Sequence, residues 1–218
     1  METLAAGKLD SLPTGAVYIR MIRFAQPVGY VINSKQHVAS FVYVETGSHR
    51  LVLSGQSPID LSTGQATFHQ SVTHQHLNPG PQPSVWYSIA IWPSSARGQA
   101  LVDPIARAAY ESEDVSPDAF SRVAYSEVLR KVTLAQAGTS GPHRFGGLAA
   151  FYVLSGTMTI KSANHSAITL GAGQGTRFLP DVAIQETNPG TAPAVYLEFV
   201  ATAIGKDFDT SLRQLPSP

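Results

Sequence analysis

The segment Phe41-Val42-Tyr43-Val44-Glu45-Thr46-Gly47 is the strongest indication of the fold, because a similar segment occurs 109 residues later as Ala150-Phe151-Tyr152-Val153-Leu154-Ser155-Gly156. A run of β-branched and aromatic residues that ends at Gly is typical of a strand followed by a turn. The sequence therefore predicts the same strand and turn in each half of the chain.

Further matched blocks stand at nearly the same offset. Gly64-Gln65-Ala66-Thr67 corresponds to Gly173-Gln174-Gly175-Thr176, and Asn78-Pro79-Gly80 corresponds to Asn188-Pro189-Gly190. The offset is 109 in the first pair and 110 in the second, so one residue was inserted between them. Because several blocks keep one offset, we infer two homologous β domains.

The rest of the chain has the same β character. Short runs of β-branched and aromatic residues alternate with Gly, Pro, Asn and Ser, which predicts an all-β fold. One region, Asp103–Arg122, is expected to be helical, because Asp103 followed by Pro104 is typical of a helix start. We therefore predict an N-terminal domain over residues 1–100, a helical connector over 101–123 and a C-terminal domain over 124–218.

The composition excludes several classes of function. The 218 residues include 15 Lys and Arg against 15 Asp and Glu, and this balance argues against nucleic-acid binding. The absence of cysteine excludes disulfides, thiolate nucleophiles and thiolate metal sites. No apolar run approaches the roughly 18 residues of a transmembrane helix, and the first ten residues do not read as a secretory signal. We expect a cytoplasmic protein that binds neither membrane nor nucleic acid.

The repeated segments resemble the two motifs of the cupin superfamily, in its two-domain (bicupin) form. Gly138–Gly156 is similar to the first motif, and Gly173–Asn188 is similar to the second. The resemblance implies two tandem jelly-roll barrels, here joined by the helical connector, a small-molecule substrate or ligand, and a homodimer. In metal-binding cupins it also implies an ion held by two His and a Glu from the first motif and a His from the second.

The C-terminal half departs from that ligand set, so its metal-binding motifs are degenerate. His143 stands at the first His position, but Phe145, Ala149 and Ile184 stand where the other three ligands are expected. A divalent ion needs three or more protein donors to be held well. We therefore predict that the C-terminal barrel binds no metal at the usual site.

The N-terminal half is richer in histidine. His74 stands at the motif-two His position, and His37 lies one residue out of register from a motif-one position. Alternation along a strand places His76 on the same face as His74, whereas His69 has the opposite parity and is expected in a rim or turn. We predict that His37, His74 and His76 hold one divalent transition metal (Fe, Zn, Ni, Cu or Mn). A metal-free polar pocket and a merely structural cluster stay open as alternatives.

The C-terminal half has a polar pair of its own. Strand parity directs Glu186 inward, as the motif position does for His143, and such a pair inside an apolar barrel can act as general acid and base. We expect a substrate cavity with Arg144 at its mouth and four residues in its wall, namely Phe145, Phe151, Phe178 and Ile184. The alternatives are a Glu–His hydrogen bond that only fixes the core and a solvated surface Arg.

These observations lead to one functional prediction and two alternatives. We predict a small-molecule enzyme of cupin type, a metal-dependent oxygenase or lyase that acts on an apolar or aromatic metabolite. One alternative is a metal-free isomerase, cyclase or lyase that uses His143 and Glu186. The other is a cupin that binds a small molecule without turning it over.

Overall fold

The structure, a computed structural model, describes residues 1–34, 37–101, 103–119, 123–163 and 165–216. The chain divides into two compact units. Unit 1 consists of Met1–Leu12 and Asp118–Pro218, and unit 2 consists of Pro13–Pro117. Across these described ranges the only helical segments are two 3-10 turns, Ser94–Ala96 and Pro117–Ala119. None of the described segments forms a helix with the length and apolar character that a membrane crossing requires.

The strands are numbered in chain order. The first ten are β1 (Glu2–Leu9), β2 (Val17–Gln26), β3 (Val31–Ser34), β4 (Ser40–Thr46), β5 (Ser48–Leu53), β6 (Ile59–Ser62), β7 (Ala66–His69), β8 (His74–Leu77), β9 (Ser84–Pro93) and β10 (Ala106–Glu111). The others are β11 (Tyr125–Leu134), β12 (His143–Phe145), β13 (Leu148–Ser155), β14 (Thr157–Ser162), β15 (His165–Gly171), β16 (Gly175–Phe178), β17 (Ala183–Thr187), β18 (Ala194–Ala203) and β19 (Asp209–Ser211).

Unit 2 contains two antiparallel sheets. One sheet has the strand order β10-β2-β9-β4-β7, and the other has the order β3-β8-β5-β6. Both sheets contribute apolar side chains to one core, among them Ile22, Leu51 and Trp86. In β8 the histidines His74 and His76 are buried while Gln75 is exposed, so the strand alternation directs both imidazoles away from solvent.

Unit 1 has the same plan, with the sheets β1-β11-β18-β13-β16 and β15-β14-β17-β12-β19. Its core includes Phe145, Phe151 and Tyr196. Strand β1 pairs with β11 from Glu2 opposite Lys131 to Leu9 opposite Tyr125. This pairing places the first twelve residues in unit 1, which differs from the sequence-based assignment of residues 1–100 to one domain.

The Asn-Pro-Gly repeat has the same role in both units. Asn78 Nδ2 donates to the carbonyl of Gln82 at 2.8 Å, and Asn78 Oδ1 accepts from the N–H of Gly80 at 3.0 Å. Asn188 repeats both bonds with residues 192 and 190, at 2.8 and 2.9 Å. The amide side chain thus replaces backbone partners inside a tight turn, which explains why this triplet occurs in each half.

The predicted helical connector is wrong. Asp103 does form a turn, because its Oδ1 accepts from the N–H of Ile105 at 3.0 Å. The chain then enters β10, which pairs along the edge of β2 from Ala106 opposite Phe24 to Glu111 opposite Arg20. The sheet edge offers hydrogen bonds over six residues, and this outweighs a local helix signal. Of the predicted connector, Val102 and residues 120–122 lie outside the described residues.

Candidate functional site

Three histidines of unit 2 converge on one point. They are His37, which precedes β4, His69 at the end of β7, and His74 at the start of β8. One ring nitrogen from each lies within 4.8 Å of the other two. His69 and His74 are buried and His37 is half-buried. Imidazole nitrogens in this number and spacing are a common ligand set for transition metals.

Hydrogen bonds fix the tautomer of each ring. The Nδ1 atoms lie 2.6 Å from the carbonyl of Val38 for His37, 2.9 Å from that of Gln70 for His69, and 2.7 Å from that of Val72 for His74. A carbonyl oxygen only accepts, so each Nδ1 must carry the hydrogen and donate it. In the neutral rings every Nε2 then presents a lone pair, which is how a backbone carbonyl usually orients a metal-binding histidine.

Burial keeps these rings neutral. It lowers the pKa of His37, His69 and His74, and it lowers that of His69 to about 4. The Nε2 atoms of His37 and His74 are 3.2 Å apart. Two lone pairs that face each other at this distance repel unless a cation or a proton lies between them. The geometry therefore suits a shared cation or a shared proton.

The third predicted ligand, His76, is not a member of this group, although its ring packs against that of His74 with the centroids 4.7 Å apart. Its Nδ1 is 3.0 Å from His49 Nε2, and its ring stacks on Trp86 with the centroids 4.4 Å apart. His49 is fully buried, and its Nδ1 has no hydrogen-bond partner among the described residues. His76 therefore forms a histidine pair in the core, and His49 is a member that the sequence interpretation did not consider.

The expectation that His69 lies in a rim or turn is wrong, because it is only 2% exposed. Strand parity could not relate it to His74, because β7 and β8 belong to different sheets and residues 70–73 separate them. The repeat itself held the missing signal. At the offset of 109, His69 corresponds to Phe178, which is a core residue of unit 1.

Unit 1 contains a cavity of about 320 Å³. His143 and Glu186 both line it, with His143 Nε2 3.5 Å from Glu186 Oε1, so the structure brings the predicted acid–base pair together. Phe145 also lines the cavity. Phe151, Phe178 and Ile184 are buried in the core instead, so these three do not form the cavity wall as expected. Arg144, which was expected at the mouth, is exposed on β12 and is not among the residues that line the cavity.

Most of the cavity residues were not predicted from the sequence, among them Arg130, Tyr196, Glu198 and Asp209. Arg130 Nη1 lies 2.9 Å from Glu198 Oε1 and 2.8 Å from Asp209 Oδ2. Burial raises the pKa of Glu198, although the Arg130 charge opposes the shift. Burial also raises the pKa of Tyr196, and the negative charges of Glu186 and Glu198 add to it.

The acid–base pair is held by its neighbours. Glu186 Oε2 accepts from the hydroxyl of Ser140, and the N–H of Glu186 donates to the same hydroxyl at 2.9 Å. His143 Nδ1 lies 2.9 Å from the carbonyl of Gly141 and therefore donates to it. These bonds leave Glu186 Oε1 and His143 Nε2 as the atoms that face each other.

The fold is shared with solved structures, although no protein-family model and no curated protein sequence matches the chain. The alignment with a variant of oxalate decarboxylase from Bacillus subtilis covers 94% of this chain and 79% of the decarboxylase chain, with 11% identity and a TM-score of 0.65. The oxalate decarboxylase formate complex from Lactobacillus farciminis covers 89% and 79%, with 13% identity and a TM-score of 0.64. The chain has the cupin fold.

Procruciferin, an 11S globulin from Brassica napus, is also similar, over 96% of this chain and 87% of its own, with 11% identity and a TM-score of 0.62. At such identities the likeness shows the cupin fold alone. In unit 1, Phe145, Ala149 and Ile184 are packed in the apolar core, and these are the residues that the sequence resemblance matches to three of the four cupin ligand positions. Carbon atoms therefore fill the places where the cupin resemblance would put metal donors.

Proposed function

We propose that the chain is a small-molecule enzyme of cupin type with one divalent transition metal held by His37, His69 and His74. The observation that carries the proposal is the 3.2 Å approach of His37 Nε2 to His74 Nε2 while both Nδ1 atoms donate elsewhere. Two nitrogens that bind one ion at 2.0–2.1 Å lie about 2.9–3.4 Å apart, so this approach suits a shared ion.

The third metal ligand, His69, needs a small rearrangement of its neighbour before it can bind an ion. Ser40 Oγ lies 2.8 Å from His69 Nε2 and donates to it, because Nδ1 of that ring already carries the hydrogen. The hydroxyl must turn away before His69 can bind an ion. Three imidazoles suit Fe, Zn, Ni or Cu, with Mn as a further candidate. A metal bound there supplies Lewis-acid activation of an oxygen atom or of water.

An aromatic ring and three backbone carbonyls surround the histidines. Trp92 lies nearly parallel to the ring of His37, with the centroids 6.1 Å apart. The three backbone carbonyls fix the ring orientations before any ion binds, which reduces the cost of ordering them. An oxygenase or lyase acting on an apolar or aromatic metabolite is the reaction class that the cupin resemblance implies, and we propose it on that ground.

Metal content tests the proposal directly. The purified, untagged protein should hold close to one equivalent of a transition metal by plasma mass spectrometry, and His74→Ala should lose it. His143→Ala is the matched control, because it removes an imidazole from the other unit and should leave the metal in place. A wild-type protein that stays free of metal after growth in supplemented medium would contradict the proposal.

A second candidate function has its own supporting observation. His143 and Glu186 face each other across 3.5 Å in the wall of the unit 1 cavity. Such a pair can move a proton to or from a substrate without a metal, as an isomerase, cyclase or lyase requires. In that case a chelator leaves turnover unchanged and Glu186→Gln abolishes it. A cupin that only binds its ligand would be stabilised by that ligand and show no turnover with it.

We propose further that the chain is a bicupin in which each unit is one barrel. The matched strands β4 and β13, the matched strands β9 and β18, and the two Asn-Pro-Gly turns support this. A homodimer that works in the cytoplasm on a small molecule, without nucleic acid or membrane, is proposed from the sequence. Sedimentation analysis of the purified chain tests the dimer.

A further inference from the structure

Two acceptor atoms lie beside each other at the cavity of unit 1, a carboxylate oxygen of Glu186 and a ring nitrogen of His143. Glu186 is 1% exposed, and its Oε1 has no hydrogen-bond partner among the described residues. His143 Nε2 lies 3.5 Å away, and the hydrogen of the neutral ring is on Nδ1, where Gly141 accepts it. Both atoms line one cavity, so a single donor group on a ligand can serve both.

The charge around these atoms favours a cation. Arg130 is the arginine of the cavity wall, and it already faces the carboxylates of Glu198 and Asp209. Even when Glu198 is protonated, the two negative charges of Glu186 and Asp209 exceed the single positive charge of Arg130. Arg130 Nε is also buried without a partner in the described part of the chain, so an anion is the natural rival ligand. The two carboxylates on Arg130 weigh against that rival, because they offset its charge.

The rest of the wall suits an apolar body. Val132, Leu134, Phe145 and Tyr196 line the same cavity. Its volume of about 320 Å³ is near the lower end of the range for ligand pockets, which limits the ligand to a small molecule. Aromatic rings beside an ammonium group also add a favourable cation–π interaction.

We propose that this cavity binds a small organic amine, whose ammonium group donates to Glu186 Oε1 and His143 Nε2 and whose apolar body packs on Phe145 and Tyr196. The inference concerns the cavity of the second candidate function and extends it to a substrate class. It does not depend on the histidine centre of unit 2, and binding can be measured without turnover.

Three probe molecules of similar shape test whether the cavity prefers a cationic, a neutral or an anionic ligand. Benzylamine, benzyl alcohol and benzoate are each titrated into the full chain by calorimetry, before and after treatment with a chelator. We expect benzylamine to bind most tightly and benzoate least tightly. Binding should be the same after chelation, which separates this site from the metal centre. Equal binding of the three, tighter binding of benzoate, or no binding of benzylamine at millimolar concentration overturns the proposal.

A charge-removing variant locates the site. Glu186→Gln keeps the shape of the side chain and should weaken benzylamine binding by at least about tenfold, because a hydrogen bond to a charged group is lost. Glu113→Gln, which changes an exposed carboxyl outside the cavity, should leave the affinity unchanged. Benzylamine should also shift the His143 ring resonances in the NMR spectrum of the wild-type chain. Binding that is unaffected by Glu186→Gln, or that leaves those resonances in place, refutes the assigned site. Amine binding with these responses but no turnover of any amine supports the ligand class and rejects only the catalytic reading.

Discussion

Replacing His69 and His76 in turn distinguishes the ligand set of the structure from that of the sequence pattern. Alternation along β8 names His76 as the third ligand, whereas the structure places His69 with His37 and His74. His69→Ala should therefore remove most of the metal affinity. His76→Ala should weaken that affinity much less, because His76 supplies no nitrogen to the group and only packs against His74.

The expected size of the effect follows from the number of donors. Structural zinc sites with four ligands bind with an apparent free energy of about 10–16 kcal/mol, which is roughly 2.5–4 kcal/mol per ligand. Loss of one ligand then weakens binding by about 100-fold to 1,000-fold. His76→Ala should cost folding stability instead, in the range of about 2–5 kcal/mol for a large side chain removed from a core.

The assay uses metal-free protein titrated with Zn²⁺ against a coloured chelator of known affinity. Circular dichroism verifies that each variant is folded, and urea unfolding measures its stability. His37→Ala serves as the positive control, since both ligand sets contain it. If His76→Ala loses the metal while His69→Ala keeps it, the ligand assignment from the structure is refuted.

Three further predictions concern stability. Burial lowers the pKa of His49 to about 3, so between pH 6.5 and 3 the unfolded chain binds a proton that the folded chain does not. The free energy of unfolding should therefore fall by about 1.4 kcal/mol per pH unit as the pH drops through this range. Urea unfolding of wild type and His49→Gln measures this, and an equal dependence of unfolding free energy on pH in the two proteins contradicts it. Burial raises the pKa of Glu127 to about 8, so the folded chain keeps a proton that the unfolded chain releases. The free energy of unfolding should therefore fall as the pH rises from 4.5 to 8. A Glu127→Gln variant whose unfolding free energy falls as steeply with pH as that of wild type would oppose this. Asn188→Ala removes a buried side chain that donates to the carbonyl of Leu134 at 3.1 Å and holds the Asn-Pro-Gly turn. The variant should lose about 2–4 kcal/mol of unfolding free energy in urea. A loss below about 1 kcal/mol, the net value of one hydrogen bond, would show that the turn forms without this side chain.

Much of the fold could be predicted because its signals are local. The strand that ends at Gly47 and its copy that ends at Gly156 are contiguous in sequence, and so is each Asn-Pro-Gly turn. Gly47 and Gly156 both adopt positive φ angles, 85° and 77°, so the turn itself requires glycine. The resemblance built on these segments led to the cupin fold.

The helical connector failed for the opposite reason. A helix start at Asp103 is a local signal, but the state of residues 106–111 depends on the free edge of β2, which is about 85 residues earlier in the chain. Short-range patterns contain no information on whether such an edge is available. The same holds for β1, which pairs with β11 more than 110 residues away.

The polar residues of the unit 1 cavity show this limit most clearly. His143 and Glu186 were found because the cupin motifs and strand parity mark their positions. Arg130 meets Glu198 and Asp209 across 68 and 79 residues, and no motif relates them. The charge balance on which the ligand proposal rests could therefore come only from the three-dimensional structure.

The two units share one plan and differ in what fills equivalent places. At the offsets of the repeat, His69, His74 and His76 of unit 2 correspond to Phe178, Ile184 and Glu186 of unit 1. Phe178 and Ile184 join the apolar core, so only the last of the three places keeps a polar group there, and that group faces a cavity. In unit 2 the same three places hold imidazoles, two of which form the candidate metal centre. Because the two sites lie in different compact units, they should be separable. A variant that removes the metal ligand at residue 74 should leave amine binding at residue 186 intact, and a variant at 186 should leave the metal intact.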